Sequence, residues 1–451
     1  MKIIIAGDGK VGYTLTEQLS MEGHDVTVID NNPAALKIAT DRHDIIGIEG
    51  NGANYFVQLE AGADKADLLI AATSTDELNL LCCIIAKKLG TKHTIARVRN
   101  PEYSEQMSLL KDELRLSMHI NPELAAADEI SRILRFPFAI KIEPFAGGRV
   151  ELVEIRLMED NPLIGLALWE LPTKFQVKVL VCAVRRGDQV FIPSGDFVLE
   201  ENDKVTLTAA PDEIITFFKK IKLIHLKVKN VMIAGGSRIA YYLARQLEPI
   251  GIRVKIIESD LKRCHELTEL MPEAMIIHAN ASDWEMLHEE GIDDMDAFVA
   301  LTGMDEENII LSIYASACGV PKIITKVSNI TFPAMLDKMG LDTVISPKTI
   351  TADHIIRYVR AMQNSEGSPV ETLYRIANEG AEALEFIVKP GCAFTGIPLK
   401  DLELKKQILI ACIVRNGKAI VASGNTTIET GDNVVVVTKN NALRDFQDIL
   451  E

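Results

Sequence analysis

The 451-residue chain contains no apolar run of the ~20 residues that a membrane-crossing helix requires, so no helical span is expected. It opens on Met1-Lys2-Ile3-Ile4-Ile5-Ala6-Gly7, too short an apolar region for a secretory leader and without a small-residue cleavage site, so the chain is expected to be cytoplasmic. Positive charge is scarce. Lys plus Arg total 48 against 64 Asp plus Glu, a net charge of -16, and no Lys/Arg-rich run stands out. Such a chain repels phosphate backbones, which excludes nucleic acid as an expected partner. Seven cysteines (82, 83, 182, 264, 318, 392 and 412) form no CxxC pair and no disulfide framework. They read as small hydrophobes in a reducing compartment. The nine histidines form no HxxxH, HxH or Cys/His cluster, so no metal is expected.

What the chain does have is a second copy of itself. Lys2–Gly12 (KIIIAGDGKVG) returns at Asn230–Ala240 (NVMIAGGSRIA), and Val26–Asp30 (VTVID) returns at Val254–Glu258 (VKIIE). Ala72–Asn79 (ATSTDELN) returns as Leu301–Asn308 (LTGMDEEN). Later in each half, Ile192-Pro193-Ser194-Gly195-Asp196 matches Val421-Ala422-Ser423-Gly424-Asn425. A register held over so many segments marks a tandem duplication. At roughly 100–200 residues per domain, the length suits two domains per half.

In the first half, short apolar runs at Lys2–Ala6, Asp25–Ile29, Ile45–Glu49, Leu68–Ala72 and Thr94–Arg97 alternate with amphipathic segments such as Gly9–Met21 and Asn79–Leu89. This alternation predicts an α/β fold, a Rossmann-like doubly wound parallel sheet. A further helix is expected over Ala125–Leu134. Residues 139–222 are richer in strands and turns and predict a separate small α/β module. The expected domains are 1–137 and 138–222, then 228–365 and 370–451.

Gly7-Asp8-Gly9-Lys10-Val11-Gly12 is a GxGxxG placed between a strand and a helix. Gly7 permits a tight turn, Gly9 lets the backbone approach a diphosphate, and Gly12 lets the helix pack closely on the sheet. The helix N-terminus offers free N–H groups and the positive end of its dipole. Asp30, 18 residues after Gly12, is placed to accept hydrogen bonds from ribose hydroxyls. Asn51, Gly52, Thr73, Asp76 and Arg97 follow or end the next strands, at the carboxyl edge where open sheets bind ligands. Asn51-Gly52 is also a common turn, and Thr73 or Asp76 are also fit to cap a helix. Arg97 is the strongest of these, because a charge closing an apolar strand needs a partner.

The second loop, Gly235-Gly236-Ser237-Arg238-Ile239-Ala240, has Ser237 and Ala240 at the second and third glycine positions. Glu258 replaces Asp30, Thr302 replaces Thr73, and Lys326 replaces Arg97 without its fork geometry. Whether this half binds a nucleotide is left open by the sequence.

These residues resemble the TrkA family, cytoplasmic regulatory subunits of Trk potassium uptake. The resemblance rests on MKIIIAGDGKVG, Asp30, the ATSTDELN segment, Ala96-Arg97-Val98-Arg99-Asn100-Pro101-Glu102-Tyr103, the Asn121-Pro122-Glu123 junction and the complete duplication. It implies two RCK (KTN) nucleotide-binding domains, each followed by an RCK-C domain. It also implies NAD(H), or ATP and ADP, as ligands. The implied partner is a membrane potassium transporter or channel of the TrkH or TrkG type, which brings the chain to the inner face of the membrane. A homodimer or homotetramer is implied too, with Ala125–Phe136 and Thr351–Met362 packing against a partner subunit. Gly7, Gly9 and Gly12 then cradle phosphate, Asp30 holds ribose, and Arg97 faces the phosphates.

A dehydrogenase is the rival reading. It needs a proton donor or acceptor at the nicotinamide end, and neither small module contains a histidine. A non-binding structural adaptor would leave the intact phosphate loop without a purpose. A non-enzymatic sensor is expected.

Overall fold

The computed structural model describes residues 1–223, 227–328, 333–365, 370–377, 380–392, 394–439, 443 and 445–450. Glu451, where the last expected module ends, lies outside them.

The first Rossmann unit runs β1 (Lys2–Ala6), α1 (Lys10–Met21), β2 (Asp25–Asp30), α2 (Pro33–Arg42), β3 (Ile46–Glu49), α3 (Tyr55–Glu60), β4 (Leu68–Ala71), α4 (Asp76–Leu89), β5 (His93–Arg97), α5 (Pro101–Leu110), β6 (Met118–Ile120) and α6 (Pro122–Arg135). Its six strands are parallel in the order β3-β2-β1-β4-β5-β6. The chain order reverses beside β1, where such sheets open a crevice for ligands. β1 and β4 are buried almost throughout, as strands covered on both faces must be.

A small antiparallel module follows: β7 (Ala139–Phe145), β8 (Val150–Arg156), α7 (Leu171–Phe175), β9 (Val179–Arg186), β10 (Gln189–Phe191), β11 (Lys204–Ala209) and α8 (Pro211–Lys220). Its sheet order is β10-β9-β11-β8-β7.

The second Rossmann unit comprises β12 (Asn230–Ala234), α9 (Arg238–Leu247), β13 (Arg253–Glu258), α10 (Leu261–Leu270), β14 (Met275–His278), α11 (Trp284–Glu289), β15 (Ala297–Ala300), α12 (Asp305–Ala317), β16 (Lys322–Lys326), α13 (Pro333–Lys338), β17 (Val344–Ile345) and α14 (Pro347–Ser365). The last module has β18 (Val370–Ile376), β19 (Ala381–Ile387), β20 (Ile408–Arg415), β21 (Lys418–Val421) and β22 (Asn433–Thr438). Both sheets reproduce the strand orders of the first half. The duplication read from sequence is therefore a duplication of topology.

The two halves exchange helices. Asn121 caps α6 by accepting from the N–H groups of Glu123 and Leu124, and Pro122 fills the first turn where no donor is needed. The helix then presents Ala126, Ala127, Ile130, Ile133 and Leu134 as one apolar stripe. That stripe packs on the second Rossmann unit, against Ile239, Leu243 and Leu247 of α9. Reciprocally, Ala352, Ile355, Ile356 and Val359 of α14 pack on the first unit, against Leu15 and Leu19 of α1. Asn121 Nδ2 donates to Tyr242 Oη at 2.9 Å, and Arg360 donates bidentately to Glu22, from Nη2 at 2.6 Å and Nε at 3.1 Å. The expectation that these helices meet a partner subunit is corrected: each is covered by the other half of the same chain.

The small modules also pack together through Phe145, Val150 and Cys182 on one side and Ala383, Cys412 and Val435 on the other. The first module is pinned to the second Rossmann unit. Lys322 Nζ donates to the Ala139 carbonyl at 2.7 Å, and Asp342 receives Arg156 at 2.9 Å and Lys204 at 3.0 Å.

Candidate functional site

The first phosphate loop is held by contacts that a side chain would break. Gly7 sits at φ +100°, and a Cβ there would lie 2.8 Å from the Ala72 carbonyl oxygen. A Cβ on Gly12 would fall 1.9 Å from the Gly7 carbonyl oxygen, so only glycine lets α1 start this close to β1. Gly9 has no atom within 4 Å of its Cβ position, leaving open space before the backbone N–H groups. Lys10 is exposed at the mouth, whereas Val11 is buried in the sheet face.

Asp30 closes β2 and holds the loop. One carboxylate oxygen accepts from the Asp8 N–H at 2.5 Å and the other from the Asn32 N–H at 2.8 Å. The Asp8 carboxyl is only 8% exposed, and neither of its oxygens has a hydrogen-bond partner among the described residues. Burial, and then the charge of Asp30, push it up to about 6.

The remaining expected residues divide into rim and support. Asn51 is exposed and its Oδ1 accepts from the Ala53 N–H at 2.9 Å. Gly52 lies beneath the crevice, where a Cβ would meet Ala6 Cβ at 2.9 Å, and its carbonyl accepts from Gln58 Nε2 at 2.6 Å. It serves close packing. Thr73 gives its N–H and hydroxyl to Asn79 Oδ1 at 2.6 and 2.7 Å, and its carbonyl receives Arg97 Nη2. Asp76 is buried and accepts from the N–H groups of Arg99 and Asn100 at 2.8 and 2.7 Å, tying α4 to the chain leaving β5. The cap of α4 is Thr75.

The second half repeats this plan with altered chemistry. Gly235 is at φ +98° against the Leu301 carbonyl, and Glu258 accepts from the Gly236 N–H at 2.6 Å. Ser237 caps α9, accepting from the Ala240 N–H at 3.4 Å. Thr302 donates its N–H to Asn308 Oδ1 at 2.8 Å, and its carbonyl receives Lys326 Nζ. Gly235, Ser237, Glu258, Asn280, Thr302 and Glu307 line a cavity of about 240 Å³ at the carboxyl edge of this sheet. Ala240 stands where Gly12 would not tolerate a Cβ, so the two loops are not interchangeable in detail.

Between the two Rossmann units lies a cleft of about 370 Å³. Its walls include Lys10 and Val11 at the start of α1, Ser237, Arg238 and Ile239 at the start of α9, and Arg97, Lys326 and Lys348. Four helix N-termini, those of α1, α6, α9 and α14, and five basic side chains thus face one space, with Glu123 the carboxylate among its lining residues. Burial, and then Arg99, lower the Arg97 guanidinium, and its buried Nε has no hydrogen-bond partner among the described residues. Burial raises Glu123 despite Arg99, Arg238 and Arg97 nearby, and its Oε2 likewise has no hydrogen-bond partner among the described residues. A concentration of positive potential with unsatisfied donors is suited to phosphate.

Reading by residue found Arg97, Arg238 and Lys326 but gave no role to Asn79, Asn308, Glu123 or Lys348. Asn79 Nδ2 donates to the Arg97 carbonyl at 2.8 Å, and Asn308 Nδ2 to the Lys326 carbonyl at 3.1 Å. Both asparagines are fully buried, and their recurrence in register was the available signal. Glu123 and Lys348 carry no such signal, because only the exchange of α6 and α14 brings them to the cleft.

Fold and cleft together define a class: a tandem pair of Rossmann units whose phosphate loops face each other, each followed by a small antiparallel module. Comparison with known proteins identifies the family. The TrkA-N domain family matches residues 3–114 and 231–347, and the TrkA-C domain family matches 152–222 and 383–451. The Trk system potassium uptake protein TrkA homolog of Archaeoglobus fulgidus is 33% identical over all of both chains. The Trk system potassium uptake protein TrkA of Halomonas elongata is 33% identical over 100% of this chain and 99% of its own. This chain belongs to the TrkA family. Among solved structures, the GsuK channel bound to NAD superposes with a TM-score of 0.64 at 16% identity, over 97% of this chain and 76% of that one. The GsuK RCK domain superposes with a TM-score of 0.63 at 16% identity, over 97% and 92%. At that identity the likeness establishes the fold.

Proposed function

We propose that the chain is a non-enzymatic regulatory subunit of Trk-type potassium uptake, binding NAD(H) or ATP/ADP and gating a membrane potassium transporter or channel accordingly. The observation that carries this reading is the basic cleft shared by both phosphate loops. A diphosphate on the N-terminus of α1, with its ribose on Asp30, directs further phosphate or a nicotinamide half toward Arg97 and Lys10. Across the cleft, Arg238, Lys326 and Lys348 belong to the other Rossmann unit. Ligand length and charge therefore set how strongly the two units attract each other. Glu123 occupies the same field as a built-in anion that phosphate displaces.

A nucleotide moves a two-state equilibrium only by the difference between its affinities for the two states. Going from 1:99 to 99:1 takes about 10⁴-fold preference, ~5.5 kcal/mol, shared among the sites occupied. Contacts made to both units at once supply such a difference, because they exist only in the closed arrangement. Homo-oligomerisation, as a dimer or tetramer beneath the membrane partner, would multiply it. The relatives' names as potassium uptake proteins and the NAD-bound channel of the same fold support this reading.

The test is potassium flux in vesicles holding the membrane partner and this subunit, with each nucleotide added in turn. Wild type is expected to give flux that differs between nucleotides. Arg97→Ala is expected to remove that difference while leaving basal flux. An unchanged nucleotide response in Arg97→Ala would overturn the assignment.

A further inference from the structure

Away from the nucleotide crevices, three unlike side chains converge on the outer face of the second Rossmann unit. His288 stands in the last turn of α11, Asp293 in the single 3-10 turn that follows (Ile292–Asp294), and Cys318 at the C-terminal cap of α12. Their ligating atoms all lie within 4.8 Å of one another, and His288 Nδ1 is 2.6 Å from Asp293 Oδ2. We propose that His288, Asp293 and Cys318 form a site for a divalent transition metal of Zn²⁺ type, leaving the fourth coordination position to water.

The donor set selects the metal. One imidazole, one carboxylate and one thiolate suit borderline Zn²⁺, whereas Ca²⁺ and Mg²⁺ require oxygen ligands. Tetrahedral bonds of about 2.0–2.3 Å place neighbouring ligand atoms ~3.3–3.8 Å apart. The His288–Asp293 hydrogen bond must open by roughly 1 Å to reach that spacing. Both side chains are about half exposed, at 50% and 53%, so they turn without disturbing the core. Binding frees Nδ1 of His288 by moving the imidazole proton to Nε2, and the thiol proton of Cys318 is released to solvent as the thiolate takes the metal. Cys318 is also one of only two cysteines in the chain that are not fully buried.

The first half supplies an internal control. Residue for residue, Leu59, Asp64 and Leu89 stand where the second half has His288, Asp293 and Cys318. The carboxylate is common to both copies, and there it pairs with Lys65 at 3.8 Å. The second copy thus differs from the first by changing two leucines to two metal-ligating residues at positions that meet in space. The 30-residue gap between His288 and Cys318 hides the set from any local motif. Bound metal would fasten the end of α11, the helix that carries the exposed Trp284, to the end of α12, the helix that carries the exposed Ile310 and Ile313.

Co²⁺ is the probe. Titration of the full chain, stripped of metal by chelator, is expected to give a thiolate-to-cobalt charge-transfer band and tetrahedral visible bands saturating at one equivalent. Zn²⁺ should bleach them. Trp284 fluorescence should fall in parallel, since its ring packs at a tilt on Tyr314 with centroids 4.1 Å apart and Tyr314 lies 5.9 Å from the His288 ring. Cys318→Ser should abolish the charge-transfer band, His288→Ala should weaken binding by at least about tenfold, and Cys392→Ser should change neither. No band at stoichiometric Co²⁺, or a band that survives Cys318→Ser or disappears with Cys392→Ser, would overturn the site.

Discussion

Asp8 is the residue whose chemistry departs furthest from a plain phosphate loop. Its second-half counterpart is Gly236, so the loop does not need a carboxylate there. Because its folded value of about 6 lies above the ordinary 3.8, the folded protein holds an extra proton between those two pH values. Stability from this group is therefore fully present below about pH 4 and is lost as pH rises through about 6. Full shielding would make the loss about 3 kcal/mol, and solvent at the loop rim reduces it to roughly half. Asp8→Asn is expected to raise the midpoint of denaturant unfolding at pH 8 and to leave it unchanged near pH 4. An equal effect at both pH values would show that charge is not the cause. At this scale the sequence was informative but incomplete. Gly7 and Gly12 stand in the close-packed positions their spacing implies, because steric rules for glycine are local. Gly52 proved to be a packing residue, because its role depends on Ala6 and Cys82, far away in the chain.

At the scale of elements, strand and helix positions were legible to within a few residues, since burial on both sheet faces leaves continuous apolar runs. The stripe on α6 was legible as well. Its destination was not, because an apolar face records that it is covered and not by what. The packing against α9 gives a directional prediction. Ile130 is fully buried in the core of the second Rossmann unit, so Ile130→Ala should cost about 2–4 kcal/mol of unfolding free energy. Hydrogen exchange should accelerate in α9 (Arg238–Leu247) while α1 keeps its protection. Lost protection in α1 with α9 unaffected would contradict the helix exchange. Asn121, which caps α6 and also binds Tyr242, couples the start of the helix to the same neighbour.

At the scale of the molecule, duplication was the strongest signal in the sequence, and it correctly implied two Rossmann units and two small modules. What it did not convey was that the halves interlock. Lys10 and Lys348 lie 338 positions apart and line one cleft, which no periodicity or motif encodes. Once both loops face one shared space, one intact glycine loop and a second with Ser237, Ala240 and Lys326 still combine into a single basic cleft. The two halves then need not bind the same ligand or bind it equally.

The most direct measurement is calorimetric titration of the purified chain with NADH, NAD⁺, ATP and ADP, repeated on Asp30→Ala and Glu258→Ala. The account predicts saturable binding of at least one of the four, with Asp30→Ala removing the share held by the first crevice and Glu258→Ala reducing the stoichiometry only if the second crevice is occupied too. Absence of binding by all four, or binding that Asp30→Ala leaves intact, would contradict it and favour a structural adaptor.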